Sequence, residues 1–202
     1  NPTLGPVPLD PPYTGRAAAP MTRTVADSAL FMQVLARPDP RDSMSLPWQD
    51  IAWQSFDAGA GRLKGLRIGL LVEAGCGLAV LPEVRAAVEG AARVFERAGA
   101  RVEPMPPFMT QGMLDGMDHF WRMRSHLDLQ ALPPERRERV LPYIRQWAGS
   151  AAGMGGEAVF KAFSQFHLTR VVAVQACSPF DYVISPVSPV PAFAADLPSP
   201  TN

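Results

Sequence analysis

The sequence predicts an α/β fold in which a mixed sheet is covered by helices. Residues 65–73 form the continuous apolar run of a strand that is covered on both faces. An amphipathic helix follows, and then a short strand at 100–105. This strand, helix, strand order is a βαβ unit, which predicts a parallel pair of strands. A last short strand is predicted at 182–184, after a long helical region.

The first helix is predicted from its start and stop signals. Thr24 suits the N-cap because its hydroxyl can accept a hydrogen bond from a free backbone N–H, and Asp27 completes a capping box. We therefore expect the helix to begin at about Val25. Pro38 and Pro40 prevent its continuation. Apolar residues cover most of its circumference, which is typical of a helix that is buried on nearly all sides.

The helix of the βαβ unit has equally clear limits. Pro82 is favoured at the first helical position, and Gly99 is placed for the C′ position. The region that follows is mainly helical. Its helices are predicted from periodic residues at 113–127, from a proline-interrupted segment at 133–149 and from a long run at about 156–177.

Composition and charge exclude several classes of function. The 202 residues are 47% hydrophobic, which is enough to bury a core, and 19 basic residues balance 19 acidic ones. Because basic residues form no run beyond the mixed segment 135–139, neither nucleic acid nor an anionic membrane is predicted as a partner. No apolar segment has the length of a membrane span, and the N-terminus lacks a signal-peptide pattern, so we predict a cytoplasmic protein. Cys76 and Cys177 lack metal-type spacing and are predicted to be free thiols.

A partial glycine motif follows the first strand. Gly75 and Gly77 resemble the first two glycines of a dinucleotide-binding fingerprint, and Glu103 ends the second strand, where an acidic ribose ligand would stand. However, Val80 replaces the third glycine, and Pro82 delays the helix. Its backbone N–H groups would therefore not point at a pyrophosphate. A nucleotide-binding module is thus a less favoured alternative, and no cofactor is predicted.

The sequence shows no complete catalytic constellation. Ser164 follows Lys161 by three residues on one helix face, and a solvent-facing pair is the simpler interpretation. Asp115 and Asp118 lie near His119, but acidic residues in the first turn of a helix explain this group equally well. The isolated histidines predict no metal site, because a third ligand is missing.

Three separated segments resemble the amidase signature family of hydrolases. They are NPTLGPVP at 1–8, PMTRTVADSALFMQVLARPDPRD at 20–42 and FDYVISPVSPVPAF at 180–193. In that family a K-P-T-x-G-R-V segment precedes G-P-M-T-R-T-V-x-D and a helix that ends in G-P-D-P-x-D. A strand and loop with the pattern Y-D-x-x-x-T-P-T comes later.

The resemblance extends in order and spacing over nearly the whole chain. The matching residues are Pro2, Thr3, Gly5, Val7, Pro20, Met21, Thr22, Arg23, Thr24, Val25, Asp27, Pro38, Asp39, Pro40, Asp42, Asp181, Tyr182, Ser185, Pro186, Ser188 and Pro189. The chain departs from the family pattern at Asn1, Pro6 and Ala19, where the family has Lys, Arg and Gly. Phe180 stands in the tyrosine place of the last motif, and serines replace its threonines.

The resemblance implies hydrolysis of a carboxamide to a carboxylate and ammonia or an amine. In the family, a nucleophilic serine, a bridging serine with a cis peptide bond and a lysine carry the reaction, and all three lie upstream of K-P-T. No catalytic residue is therefore assigned in this chain. We expect residues 1–202 to be part of a single amidase domain, truncated at both ends and inactive alone.

The resemblance also implies a substrate-binding region. Residues 108–178 correspond to the variable helical region that shapes the substrate pocket in the family. Met117, Phe120 and Trp121 are candidates for lining that pocket, although packing in the core is the simpler interpretation of large apolar residues at helical spacing. The predicted partner is a small-molecule amide, and a homodimer stays open. A non-catalytic interaction domain on an amidase scaffold is the alternative function.

Overall fold

The computed structural model describes residues 19–41, 45–55, 61–195 and 197 of the chain. It divides into two compact units, Asn1–Gly59 and Ala60–Asn202. Within its described residues, the first unit contains one helix, α1 (Val25–Leu35). The elements of the second unit are β1 (Arg67–Leu70), α2 (Pro82–Arg97), β2 (Arg101–Pro104), α3 (Gln111–Ala131), α4 (Pro134–Arg137), α5 (Pro142–Gly149), α6 (Gly156–Cys177) and β3 (Tyr182–Ile184). The family-like segment at 1–8 and the motif residue Asp42 lie outside the described residues.

Helix α1 begins and ends where its sequence signals predict. Thr24 is the N-cap, and its Oγ1 accepts a hydrogen bond from the N–H of Asp27 at 3.1 Å. The Thr22 hydroxyl lies 2.6 Å from the hydroxyl of Ser28, which adds a second tie across the first turn. Ala36 is the C-cap, so the helix ends before the proline-rich turn. These contacts confirm the predicted N-cap and limits of α1.

The predicted burial of α1 is wrong. Ala29 is its buried residue, whereas Val25, Leu30 and Val34 are mainly exposed. A helix that is apolar on all sides needs neighbours on all sides to be enclosed. The described part of its unit covers only the side that carries Ala29, so the outward apolar residues of α1 have solvent around them.

The sheet of the second unit has three strands in the order β2-β1-β3. Both pairings are parallel, with Ile68 of β1 in register with Val102 of β2 and with Tyr182 of β3. Ile68 is 2% exposed and lies at the centre of the core. The predicted α/β class and the predicted βαβ unit are confirmed.

Helix α2 connects the two strands of this unit. Pro82 is its first residue, as predicted, and Ala92 on its inner side is buried where α2 packs against β2. Gly99 ends the connection with a φ of +98°, a conformation that favours glycine. A short turn therefore returns the chain directly into β2.

The Phe-Asp pair before β3 fixes that strand against β1. The carboxylate of Asp181 accepts the N–H of Arg67, and the N–H of Asp181 donates to the carbonyl of Arg67, each at 2.8 Å. The ring of Phe180 covers Gly69, where a Cβ atom would come within 2.8 Å of the ring. Arg67 also pairs with Glu103 of β2 at 3.2 Å. The family-like motif thus has a structural role in joining the three strands.

The helical region packs around α3, which lies against both α5 and α6. Gly116 allows the close approach of α6, because a Cβ atom there would lie 2.8 Å from Gln165 Cβ and 3.3 Å from the Ala162 carbonyl. Met113, Ala148 and Ala162 are buried in this region. Among the described residues, no helix is long and apolar enough to cross a membrane.

Candidate functional site

The carboxyl ends of the three parallel strands meet at one edge of the sheet, where ligands bind in open α/β folds. Two contacts organise this edge. The N–H of Leu71 donates to the carbonyl of Ile184 at 2.9 Å, and the N–H of Leu81 donates to the carbonyl of Pro189 at 2.9 Å. The loops that follow β1 and β3 are therefore held together.

The partial glycine motif lies at this edge and has a structural explanation. Gly75, Cys76 and Gly77 all have positive φ angles, of 108°, 54° and 71°. Gly75 forms a parallel bridge with Met109, and a Cβ atom at Gly75 would collide with the Met109 carbonyl oxygen. Close contact between two loops therefore accounts for this glycine without a bound phosphate.

The N-terminus of α2 is also poorly suited to a phosphate. Its first residue, Pro82, has no N–H group to donate. The N–H of Leu81, the preceding residue, is already bonded to Pro189. Because phosphate sites at helix N-termini use such free N–H groups, this geometry favours the structural interpretation over the nucleotide-binding alternative.

The lysine and serine of α6 are bonded to different partners. Lys161 Nζ lies 2.5 Å from Glu157 Oε1, which makes an exposed ion pair one turn away. Ser164 Oγ donates to the carbonyl of Phe160 at 2.8 Å. Neither contact activates the serine hydroxyl, so the pair is a surface feature, as its spacing indicates.

The acidic group near His119 holds two helices together. Asp118 accepts one hydrogen bond from Arg122 Nε at 2.6 Å and another from Trp147 Nε1 of α5 at 3.2 Å. Arg122 donates to Ser150 Oγ at 2.9 Å. Asp115 is bonded instead to Gln111 at 2.7 Å, one turn earlier in α3. These carboxylates are therefore not assembled as a catalytic cluster.

Sequence reasoning missed the roles of Trp147 and Ser150. Both lie at or after the end of α5 and reach back to Arg122 of α3, and the Arg122 guanidinium lies 5.7 Å from the Trp147 ring centroid. The available signal was an i, i+4 pair of Asp118 and Arg122, but spacing within one helix does not identify a partner on another helix. Among the described side chains, no group of three or more His, Cys, Asp or Glu residues could hold a metal ion.

The candidate substrate-binding residues lie on α3, beside α6. The ring centroid of Phe120 lies 5.4 Å from that of Phe163, 5.0 Å from that of Phe166 and 6.0 Å from that of Trp121. The guanidinium of Arg124 stands 5.3 Å from the Trp121 ring centroid. Phe120 therefore packs between two helices, and Trp121 lies next to it.

Met117, Phe120 and Trp121 are all half-buried. Each therefore keeps part of its surface outside the packing between α3 and α6. Such residues can contribute both to the interface between the helices and to a surface that faces a ligand.

A strongly shifted pKa occurs in the turn after α1. Arg41 Nε and Nη2 donate to the two carboxylate oxygens of Asp39, at 2.9 and 2.8 Å, and the N–H of Arg41 donates to Asp39 Oδ1 at 2.9 Å. These hydrogen bonds lower the pKa of Asp39 from 3.8 to about 2. Ser45 Oγ accepts the N–H of Asp39 at 3.0 Å. The Pro-Asp-Pro segment is thus a stabilised turn.

Comparison with protein families gives one match over nearly the whole chain. A family model described as Amidase matches residues 2–202. A glutamyl-tRNA(Gln) amidotransferase subunit of Myxococcus xanthus (strain DK1622) is 32% identical over 198 residues, which are 86% of this chain and 40% of that protein. The acylamidase of Rhodococcus erythropolis is 36% identical over 95 residues, which cover 47% of this chain and 19% of that protein.

Solved structures show the same fold. A bacterial aryl acylamidase that belongs to the amidase signature enzymes matches with a TM-score of 0.70 and 24% identity. The match covers 96% of this chain and 42% of the aryl acylamidase chain. The chain therefore spans about two fifths of the length of these proteins.

Proposed function

Because this chain belongs to the amidase family, we propose that it works as part of an amidase that hydrolyses a carboxamide to a carboxylate and ammonia or an amine. The observation that carries this proposal is the family match over residues 2–202. The fold likeness to the aryl acylamidase supports it, because 96% of this chain takes part in that match. The chain spans 40% of the Myxococcus xanthus relative, so the activity is assigned to the whole domain.

The proposed reaction proceeds through a seryl acyl-enzyme. A serine oxygen attacks the amide carbon, a base takes the hydroxyl proton, and the amine leaves with a proton as the C–N bond breaks. Backbone N–H groups stabilise the negative charge on the carbonyl oxygen, and water then hydrolyses the ester. The nucleophile and its base are supplied by residues outside this chain.

The described residues support that division of roles. Ser164 and Lys161, which share a face of α6, are bonded to Phe160 and Glu157 instead of to each other. A serine without a base in hydrogen-bond reach is a weak nucleophile. We therefore expect the 202-residue chain alone to have no amidase activity.

A hybrid enzyme tests the proposal. In the hybrid, this chain replaces the structurally equivalent residues of the bacterial aryl acylamidase. We expect the hybrid to release an arylamine from an aryl acyl amide, whereas the isolated chain and the acylamidase without these residues release none. Release by the isolated chain would contradict its proposed dependence on other residues. A folded hybrid without activity would instead favour the non-catalytic interaction domain.

Residues 108–178 are proposed to shape the substrate pocket, with Met117, Phe120 and Trp121 along its wall. Their partial exposure beside the α3–α6 interface supports this assignment. In the hybrid, Trp121→Ala should change the ratio of kcat/KM between a bulky aryl amide and a small aliphatic amide by about tenfold, the effect of altered apolar pocket contacts. Trp121→Phe is the control and should change it less. An unchanged ratio in both variants would remove Trp121 from the pocket.

A further inference from the structure

Helix α6 carries apolar residues on two opposite faces. Its inner face, with Ala162 at 4% exposure, packs against α3. Its outer face has a row of large apolar side chains, here called the outer stripe. The outer stripe consists of Phe160, Phe163, Leu168, Val171 and Val174, which are 71%, 40%, 43%, 38% and 61% exposed.

Helix geometry makes the outer stripe one continuous surface. With about 3.6 residues per turn, Phe160, Val171 and Val174 project within an arc of about 60°, and Ala162 projects in nearly the opposite direction. The stripe runs over four turns of α6 from Phe160 to Val174, about 21 Å at a rise of about 1.5 Å per residue. It is therefore long enough to form a helix-sized contact.

The polar side chains within this surface do not prevent its burial. Ser164 bonds to the carbonyl of Phe160 inside the helix, so its hydroxyl needs no water. His167 is exposed beside the stripe, and an imidazole combines an apolar ring with polar atoms at its edge. A helix that is apolar on all sides is characteristic of a fully enclosed position. Contiguous exposed apolar patches of this kind mark interaction surfaces.

The lengths of the related proteins indicate what covers the stripe. The fold of this chain corresponds to 42% of the aryl acylamidase chain, and the sequence match covers 40% of the Myxococcus xanthus protein. More than half of each protein therefore lies outside the matched region. The second unit is open elsewhere too, since β3 ends the described sheet and Tyr182 is 64% exposed. One contact with a second copy would cover a single patch, whereas the rest of a domain can cover both.

We propose that the outer stripe of α6 is the surface on which the remaining part of an amidase domain packs. Helix α6 is then enclosed on both faces in the complete protein, with α3 on one side and apolar side chains from the remaining part on the other. This inference rests on the proposed function only in that the chain works within a larger amidase domain. It assigns the outer stripe to a contact inside the protein and not to a dimer interface.

Thiol labelling of the hybrid enzyme tests the inference. Val174→Cys places a thiol in the stripe, and Arg93→Cys places one on the exposed outer face of α2 as a control. Peptide mass spectrometry separates these thiols from Cys76 and Cys177. In the isolated chain, both introduced thiols should react with iodoacetamide at similar rates. In the hybrid, Cys at 174 should react at least about 100-fold more slowly, because labelling requires local opening, and Cys at 93 should keep its rate.

Several results would overturn the inference. A folded hybrid in which position 174 stays as reactive as position 93 would show that nothing covers the stripe. A discrete dimer of the isolated chain that Val174→Glu dissociates and Arg93→Glu preserves, measured by light scattering, would make a second copy the occupant. A hybrid that fails to fold beside a folded acylamidase would show that this surface does not fit the remaining part.

The labelling result is independent of the proposed activity. An inactive hybrid with position 174 protected would defeat the proposed function and retain the inference. An active hybrid with position 174 reactive would do the reverse. The two proposals can therefore fail separately.

Discussion

Helices α2 and α6 have similar inner faces and opposite outer faces. Ala92 of α2 and Ala162 of α6 are both 4% exposed, so each helix is firmly packed on one side. The outer face of α2 carries the exposed Arg93 and Arg97, with Val94 as its large apolar exception among the described residues. The outer face of α6 carries the five apolar residues of the outer stripe.

The difference shows how a sequence pattern reports the neighbours of a helix. The amphipathic pattern of α2 matches the single face that it buries on the sheet. The pattern of α6 corresponds to two buried faces, and the described residues cover one of them. Helix α1 shows the same relation, because Val25 and Leu30 are apolar and exposed. Apolar periodicity thus records contacts with parts of a domain that lie outside the chain.

The largest predicted effect tests whether the two inner faces are equivalent. Ala92→Glu and Ala162→Glu should each lower the free energy of unfolding by about 3 kcal/mol or more, because each buries an unpaired carboxylate. Ala86→Glu and Ala158→Glu make the same change at exposed positions of α2 and α6 and should stay within about 0.5 kcal/mol. Urea unfolding followed by circular dichroism measures all four. A tolerated Ala162→Glu would show that α6 is not anchored on its inner face.

A somewhat smaller effect is expected where α3 meets α6. Gly116→Val should cost about 2 kcal/mol, because the new side chain collides with Gln165 and the Ala162 carbonyl. Gly112→Val lies in the exposed first turn of the same helix and should be neutral or slightly stabilising. Thermal unfolding compares the two variants. Equal melting temperatures would mean that α6 does not need the close approach at Gly116.

The outer faces should differ little in the isolated chain. Val174→Ser and Arg93→Ser should each change the free energy of unfolding by less than about 0.5 kcal/mol, because both positions are exposed. In the hybrid, Val174→Ser should cost about 1 kcal/mol or more, because an enclosed methyl pair is removed. Chemical unfolding of the four proteins measures this. A loss of equal size in the isolated chain would show that the stripe is already covered there.

The smallest effect concerns the turn after α1. An NMR titration should give Asp39 a pKa of about 2, and Arg41→Ala should return it toward 3.8. Because the folded pKa is lowered, the stabilisation is present above the unfolded value and is lost as the pH falls from 3.8 through about 2. Asp181, whose carboxylate accepts a backbone N–H, serves as an internal reference signal. An Asp39 midpoint unaffected by Arg41→Ala would contradict the contact.

Much of the fold could be predicted from the sequence where local signals are strong. Helix α6 and strand β3 have the predicted bounds, and Pro82 and Gly99 limit α2 and its turn as predicted. Prolines, caps and helical periodicity act within a few residues of the chain, so they are readable without knowledge of tertiary contacts. The three segments that resemble the amidase family correctly predicted the family match.

The rest depends on contacts between distant residues. The exposure of α1 could not be predicted, because its sequence specifies an enclosed helix and not the partner that encloses it. The bond between Asp118 and Trp147 joins α3 to α5, and no local pattern indicates it. The pocket roles of Met117, Phe120 and Trp121 stay predictions, because their surroundings in the whole domain decide them.

Arylamine release by the hybrid enzyme tests the central claim most directly, that this chain completes an amidase through the outer stripe. The hybrid and its Arg93→Glu variant should both release an arylamine, since Arg93 lies on a face that stays in water. The Val174→Glu variant should release none, because a carboxylate in the stripe separates the chain from the catalytic part. Equal release by both variants would contradict the claim, and so would release by the isolated chain.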